Sequence, residues 1–406
     1  MTPRGWLTVA LGLAASACAP TPATTPPPAP PAVHPDSIRP NIDSARMNRP
    51  PIEIPRDTQP APPPPPIRAA LPVRLAFTGD INLGTITLPG GIPPDEGRGL
   101  LAGTDSLLTG DLVIGNFEGV LADSGTSTKC DPPRPRRARA RGQPAQRPNC
   151  YFFITPPALA PRLREAGFTH LNLANNHAND LGEDGRLAST RMLDSLGLTT
   201  YGPLGSIVLD TIRTGDSLTV VGLIGFTTYP FAYNLLDLDA SARIVDSISA
   251  LTDLVVVTFH GGAEGTDAQH TGTEMEYLGR EPRGDLRTWA RAVIDAGADI
   301  VVGHGPHVLR GIEFYRGHPI VYSLGNFLNY RGFNLSGPLG LTAILQVELA
   351  GDGSFRAGRL IPLRQPPRTG PVPDPSGAAL GLVERLSRED FGPTAAVFDS
   401  AGGFKQ

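Results

Sequence analysis

Short apolar runs alternate with amphipathic stretches along most of the chain after Leu71. The runs are rich in β-branched residues and only a few residues long, which is typical of buried strands. We predict strands at VRLAFTG, DLVIGNF, HLNLAN, LTVVGLIGF, DLVVVTFH, ADIVVG and PIVYSLG. Between several of them apolar residues recur at helical spacing, as in PPALAPRLREAGF, GEDGRLASTRMLDSLG and GDLRTWARAVIDAG. This alternation predicts an α/β fold with helices on the faces of its sheet.

The alternation is confined to the middle of the chain. Residues 19–72 are dominated by Pro, with Ala and Thr, and contain too little apolar surface to build a core. Such a composition favours extended polyproline conformation, so we expect a stalk there. We therefore predict a globular domain at 73–350 and a peripheral C-terminal extension at 351–406.

The first 18 residues have the pattern of a targeting signal. Arg4 precedes an apolar run from Trp6 to Ala15, which is shorter than the roughly 20 residues that a membrane span needs. Small residues then lead to Cys18, and AASAC is similar to a bacterial lipobox, although Ala15 stands where such boxes usually have Leu. We predict a lipid on Cys18 and a location in the bacterial cell envelope, outside the cytoplasm and anchored to a membrane. An ordinary cleaved signal is the alternative.

Two further cysteines, Cys130 and Cys150, bracket a segment rich in Pro and Arg. An exported protein meets an oxidising compartment, so we predict a disulfide between them. It would stabilise the fold by roughly 3 kcal/mol in the chain-entropy model. Two free thiols are the alternative. The basic run RPRRARARGQ inside this segment could meet an acidic polymer or could simply be solvated.

Composition and charge narrow the range of partners. The chain has 406 residues, of which 40% are hydrophobic and 18% are charged, so it can bury a large core. The net charge of -4 does not indicate the basic surface that nucleic-acid binding needs, which argues against nucleic acid as a partner.

Polar side chains follow five of the predicted strands directly. Open α/β sheets bind ligands beyond the carboxyl ends of their strands, so these groups are expected to converge on one cleft. Each has an ordinary structural explanation as a turn residue, a cap or a solvated acid. Their recurrence at five strand ends favours a shared site. The groups are Gly79 and Asp80; Asn116 and Glu118; Asn175, Asn176 and His177; His260; and Gly303, His304 and His307.

The chemistry of these side chains indicates which metal ions they would bind. Imidazole combined with carboxylate and amide oxygen suits Zn, Mn or Fe rather than Ca or Mg. A bridging carboxylate can hold two such ions roughly 3.5 to 4 Å apart, where they activate water and clamp a phosphoryl group. In VVGHGPHVLRG, glycine gives the backbone freedom and Pro306 fixes one dihedral angle, so that His304 and His307 can face one cleft. We predict one or two divalent ions.

The motifs, taken in order, resemble the CapA family of capsule synthesis proteins associated with poly-γ-glutamate. FTGDINLG, GDLVIGNFEGVL, LNLANNHANDLGEDG, VVVTFHGGAEG and DAGADIVVGHGPHVLRGIEFYRGHPIVYSLGNF carry the resemblance. The family is similar in fold to the calcineurin-like metallophosphatases. The resemblance therefore implies a four-layer α/β sandwich, two β-sheets flanked by helices. It also implies a role in making or exporting an acidic capsule polymer, with that polymer or its synthesis machinery as partner.

The resemblance also assigns residues. It implies metal ligands at Asp80, Glu118, Asn176, His260, His304 and His307, and a general acid at His177. Asn82 stands where the phosphatase pattern has His, and Glu118 stands near the place of its bridging Asp. These departures point to a weakened first metal site or to a site for a single ion. Possible neighbours of the site are Asn82, Asn116, Glu264 and Asn326.

Three functions remain open from the sequence. The protein could act on or export an acidic polymer, it could hydrolyse phosphate esters, or it could be a noncatalytic scaffold that binds the polymer. An assay with phosphate esters separates the second from the others, and polymer binding without turnover supports the third.

Overall fold

The computed structural model describes residues 71–127, 129 and 151–406. The predicted signal peptide with Cys18, nearly all of the predicted stalk, and Cys130 and Cys150 lie outside these residues. The lipid anchor and the disulfide therefore stay predictions. Among the described residues, no helix has the length and apolar character needed to cross a membrane.

Strands dominate the described part of the chain. They are β1 (Val73–Asn82), β2 (Leu112–Phe117), β3 (Val120–Leu121), β4 (Ile154–Thr155), β5 (His170–Asn172), β6 (Thr199–Tyr201), β7 (Val208–Thr214), β8 (Ser217–Thr227), β9 (Tyr233–Asn234), β10 (Leu254–His260), β11 (Glu276–Leu278), β12 (Glu281–Gly284), β13 (Ile300–His304), β14 (Ile312–Tyr315), β15 (His318–Val321), β16 (Asn326–Asn329), β17 (Leu341–Leu349), β18 (Phe355–Arg364), β19 (Val372–Pro373), β20 (Val397–Phe398) and β21 (Gly403–Lys405). Each of the seven predicted apolar runs overlaps one of them.

The helices are fewer and mostly short. They are α1 (Pro161–Glu165), α2 (Gly182–Ser195), α3 (Leu238–Ser249), α4 (Leu286–Asp295) and α5 (Ala378–Phe391), with 3-10 turns at Pro94–Gly97, Asp105–Leu107, Pro157–Leu159, Gly337–Gly340 and Gly392–Thr394. Two begin at side-chain caps, because Asp237 accepts a hydrogen bond from the Ala240 amide and Asp285 accepts one from the Thr288 amide.

Two large sheets organise the fold. The first has the strand order β20-β21-β18-β17-β1-β2-β5-β6, with β16 beside the end of β1 and β19 beside β18. The second has the order β14-β15-β13-β10-β8-β7, with β9 beside β8. Strands β1, β2, β5 and β6 run parallel to one another, and so do β8, β10 and β13. Parallel neighbours end at the same edge of a sheet, which brings the polar strand ends together.

Alternation along the strands builds three apolar layers. Leu75 and Phe77 of β1 share a buried core with Val256 of β10, so this core lies between the two sheets. The outer face of the first sheet, with Val113 of β2, packs on Leu193 of α2.

The outer face of the second sheet is covered in the same way. Val257 and Phe259 of β10 pack with Val245 of α3 and Trp289 of α4. Each sheet thus carries helices on its outer side and apolar residues on its inner side. The predicted four-layer α/β sandwich, two β-sheets flanked by helices, is confirmed.

The last part of the chain belongs to the first sheet. β18 lies beyond the boundary expected near Gly351, yet it pairs with β17 in antiparallel register from Leu341–Arg364 to Leu349–Phe355. The described residues belong to one compact unit, and α5 adds Val383 and Leu386 to the core between the sheets. Residues 351–406 therefore extend the first sheet and contribute to its core.

Candidate metal centre

The carboxyl ends of strands from both sheets supply the polar groups. Asp80 at the end of β1 lies beside Asn116 of β2 in the first sheet. His260 at the end of β10 lies beside His304 at the end of β13 in the second sheet. All four side chains are buried. The predicted convergence is therefore built by two sheets that meet at one end of the sandwich.

Three of the predicted residues form a compact buried cluster. Asp80, Glu118 and His307 each offer one ligand atom, and these atoms lie within 4.8 Å of one another. Asp80 Oδ2 is 2.9 Å from His307 Nδ1, and Asp80 Oδ1 is 3.5 Å from His304 Nδ1. With His304 beside Asp80 and His260 Nε2 3.9 Å from Glu118, five of the six predicted ligands are brought together.

Glu118 is the point on which the imidazoles converge. Its Oε1 atom lies 3.9 Å from Nε2 of His177, 3.9 Å from Nε2 of His260 and 3.8 Å from Nε2 of His307. Among the described residues, neither carboxylate oxygen of Glu118 has a hydrogen-bond partner, and His260 Nε2 and Asn176 Oδ1 also lack one. Buried polar atoms are normally paired, so these atoms indicate a missing partner.

The charges inside the cluster point to a cation. Complete burial raises the pKa of Glu118 well above its ordinary value, so an ionised Glu118 needs positive charge nearby. Burial alone would raise the pKa of Asp80, but its contacts with His304 and His307 outweigh burial and hold the pKa well below its usual range. Burial lowers the pKa of His260 well below its ordinary value, which keeps this imidazole neutral and able to bind a metal.

His307 lies between the two carboxylates of the cluster. Burial lowers its pKa, but the charges of Glu118, Asp80 and Glu264 outweigh burial and raise the pKa to about 10. A proton on this imidazole is thus favoured by the carboxylates beside it. Metal binding requires the neutral ring, so a divalent cation would replace this proton. The residues present fit a divalent ion with imidazole and carboxylate ligands.

The turn that leads from His304 to His307 contains an uncommon backbone conformation. His307 has a φ of 60°, a left-handed conformation that is uncommon for residues other than glycine. The Asn326 amide donates to the His307 carbonyl at 3.1 Å and so supports this conformation. Gly305 has a φ of 111°, and an added Cβ would lie 2.6 Å from the Gly261 carbonyl oxygen. Asn326 therefore acts on the backbone beneath His307.

Asn116 ties the two sheets together below the cluster. Its Nδ2 donates to Asp80 Oδ1 at 2.8 Å and lies 3.3 Å from His260 Nδ1. Its Oδ1 accepts hydrogen bonds from Asn172 at 3.0 Å and from Asn175 at 3.2 Å. Asn175 was among the predicted strand-end groups, whereas Asn172 was not recognised from the sequence.

Replacing Asn116 by Ala is expected to lower the free energy of unfolding by about 2 kcal/mol. The substitution leaves Asn172 without its buried acceptor and removes a donor from Asp80, and such losses cost about 1 to 3 kcal/mol. Urea unfolding measures the change. The exposed Asn234, replaced by Ala, is the control. Equal stability of the Asn116 variant and the wild type would contradict this view of the network.

The remaining predicted residues occupy distinct places. Asn82 donates to the Glu118 carbonyl at 3.2 Å and accepts from the Gly84 amide at 3.0 Å, so its side chain is engaged with the backbone. Asn176 lines the cleft described below. Glu264 lies with Oε2 at 3.9 Å from His307 Nε2 and Oε1 at 3.1 Å from Nη2 of the buried Arg283.

His177 belongs to a hydrogen-bonded group that sequence reasoning missed. Its Nδ1 is 2.6 Å from Oδ2 of the buried Asp180, while its Nε2 faces Glu118. Lys129 Nζ contacts the other Asp180 oxygen at 2.8 Å. The spacing in HAND, with an acid three residues after the histidine, is a signal that could have revealed Asp180.

A cleft of about 240 Å³ opens beside the cluster. One wall is aromatic: Phe153 packs on the His177 ring at 4.3 Å between centroids, and Phe333 packs on the His307 ring at 4.7 Å. The lining residues are Tyr151, Phe153, Asn176, His177, Glu264, His307, Gly332, Phe333 and Asn334. A substrate in this cleft would thus meet His177 and His307 together.

Comparison with known proteins gives relatives over most of the globular part. Residues 74–331 match the family described as "Bacterial capsule synthesis protein PGA_cap". The chain is 33% identical over 218 residues to "PGA biosynthesis protein CapA" of Bacillus subtilis, covering 48% of this chain and 50% of the relative. It is 31% identical over 209 residues to "Capsule biosynthesis protein CapA" of Bacillus anthracis, covering 47% of each.

These matches have a limited extent. The chain spans about half the length of the curated relatives it matches. Among solved structures, it is similar to a 5'-nucleotidase precursor from Thermus thermophilus, with a TM-score of 0.38 and 14% identity. That similarity covers 78% of this chain and 59% of the nucleotidase.

Proposed function

The chain belongs to the PGA_cap family of bacterial capsule synthesis proteins, and from this premise we propose that it engages an acidic polymer during capsule synthesis or export. Poly-γ-glutamate is the polymer of first choice, because the names of the relatives refer to capsule and PGA biosynthesis. One observation carries the proposal: Asp80, Glu118 and His307 form a buried cluster in which both Glu118 oxygens lack a hydrogen-bond partner among the described residues.

The charge of the cleft makes polymer binding depend on metal. Asp80, Glu118 and Glu264 place three carboxylates within or beside the cluster, and carboxylates repel one another at short range. Divalent ions of the Mn, Zn or Fe class, held by Asp80, Glu118, Asn176, His260, His304 and His307, would offset this charge. The cleft could then attract the free α-carboxylates of the polymer.

Removing metal with EDTA is expected to weaken binding of poly-γ-glutamate to the full-length protein at least about tenfold, which corresponds to a loss of about 1.4 kcal/mol or more. Isothermal titration of the metal-loaded and stripped protein with a defined oligomer measures the change. Readdition of Mn²⁺ or Zn²⁺ should restore binding. Tight binding by the stripped protein would show that the cleft is not the binding site.

Hydrolysis is the second candidate function, favoured by the placement of His177. Bound divalent ions would supply Lewis acidity and lower the pKa of a water molecule. His177 Nε2 faces Glu118, and the ring is fixed by Asp180 on its other nitrogen. With Nδ1 hydrogen-bonded to Asp180, a doubly protonated His177 could donate the Nε2 proton to the leaving group of an amide or phosphate ester. Parallel assays with poly-γ-glutamate and phosphate esters distinguish the two substrates, and binding without turnover supports a scaffold.

We further propose that a lipid on Cys18 and the Pro-rich residues 19–72 hold the domain at the cell envelope. Replacing Cys18 by Ser is expected to move the protein from the membrane fraction to the soluble fraction, because a cleaved chain without an acyl group keeps no anchor. Fractionation of cells that express each form measures this. Membrane retention of the Cys18 variant would contradict lipid anchoring.

A further inference from the structure

The use of lysine in this chain is unusual. Lysine and arginine together number 35, yet the sequence contains lysine only at positions 129 and 405. Lys405 lies exposed in β21, whereas Lys129 contacts the loop that carries His177. Lys129 Nζ donates to the Asn176 carbonyl at 2.7 Å and to Asp180 Oδ1 at 2.8 Å, and lies 3.4 Å from His177 Nδ1.

Asp180 transmits these contacts to the imidazole. Its carboxylate is fully buried, and its Oδ2 accepts a hydrogen bond from the Phe153 amide at 2.7 Å. Lys129 and the Phe153 amide donate to the two oxygens of the Asp180 carboxylate, and His177 Nδ1 donates a further hydrogen bond to Oδ2. Nε2 of His177 is then the nitrogen that faces Glu118.

The chemistry of the contact suits lysine better than arginine. An ammonium group carries three donors on one rotatable centre, whereas the guanidinium group is a rigid planar fork. Here the acceptors are a main-chain carbonyl and a buried carboxylate on different parts of the same loop. One ammonium group can bridge both, which fixes the backbone of Asn176 and the Asp180 side chain together.

We infer that Lys129 is a positioning residue that sets the orientation of His177 through Asp180 and the Asn176 carbonyl. The inference rests on the proposed role of His177 as proton donor. The Lys129 side chain is 33% exposed, and ion pairs open to solvent contribute little to stability. If Lys129 were only structural, its replacement would mainly cause a small loss of stability. If it positions His177, its replacement also changes the orientation of the imidazole ring.

The direct test is the nitrogen spectrum of the imidazoles in the full-length protein. Histidine labelled with ¹⁵N reports which ring nitrogen carries the proton, and Asp180→Asn assigns the signals of His177. We expect Lys129→Met to shift or broaden these signals, because the ring loses its fixed orientation. Lys405→Met is the matched control and should leave them unchanged. Wild-type His177 signals in Lys129→Met would overturn the inference.

Turnover provides a second readout. We expect Lys129→Ala to lower hydrolysis at least about tenfold, since small misplacements of a reacting group can cost about a hundredfold. Metal content should stay at the wild-type level, and added ethylammonium should restore part of the rate. Full activity in Lys129→Ala also overturns the inference. If the wild type hydrolyses neither substrate, the proposed catalytic role fails, and the ring spectra alone decide whether Lys129 orients His177.

Discussion

Glu118→Gln protein is expected to lose bound metal, with affinity reduced at least about a hundredfold. The substitution preserves the shape of the side chain but removes the charge on which three imidazoles converge. Changes to residues that only support a ligand typically cost about 10- to 100-fold in metal affinity, so the loss of a charged ligand should cost at least as much. Elemental analysis after equilibration with buffered Mn²⁺ or Zn²⁺ measures the loss.

A buried glutamate outside the cleft provides the control for this substitution. Glu313 is buried and contacts Arg291 and Tyr322, away from the metal cluster. Glu313→Gln should lower stability and still bind metal at the wild-type level. Wild-type metal content in Glu118→Gln would show that Glu118 is not a ligand.

His177→Asn should retain metal and lose turnover, by about 10² to 10⁴ fold, which is the usual contribution of a general acid. The predicted ligands Asp80, His260, His304 and His307 stay in place, so elemental analysis should find unchanged metal. Hydrolysis of poly-γ-glutamate and of phosphate esters, measured on the same preparation, gives the rates.

The control is another buried histidine. His170 of β5 contacts Thr169 and Asp210 and is not among the residues that line the cleft. His170→Asn should keep its activity. Loss of metal from His177→Asn would instead make His177 a ligand, and full activity would remove it from the reaction.

The fold was largely predictable because its strands carry a strong local signal. The run DLVVVTFH places alternate residues on opposite faces, and β10 indeed sends Val256 into the core between the sheets and Val257 toward α4. The strand order was not predictable. Which strands pair, and which of the two sheets each joins, depends on contacts far apart in sequence.

The charged and imidazole residues of the site could be predicted from the sequence. The hydrogen bonds that support them could not. Polar residues directly after apolar runs indicated Asp80, His260 and His304. Parallel pairing brings His260 beside His304, and the meeting of the two sheets brings Asp80 within 3.5 Å of His304. Lys129 and Asn172 gave no such signal. Lys129 comes 48 positions before His177 and reaches it only through the folded loop.

Two residues near the predicted metal ligands have other partners in the structure. Asn82 was a candidate neighbour of the metal, but its amide holds the Glu118 carbonyl. Glu264 lies close to His307, and its partner is the buried Arg283. Glu118, His260 and His307 would hold one ion. The site holds two ions if Asp80 and His304 bind a second.

An anomalous difference map from crystals of the protein equilibrated with Mn²⁺ or Zn²⁺ tests the central claim most directly. We expect one or two peaks within coordination distance of Glu118 and His307, roughly 2.0 to 2.3 Å from ligand atoms, with Asp80 contacting at least one of them. A map without a peak at this cluster, from crystals whose metal is bound elsewhere or not at all, would show that these residues do not form a metal site.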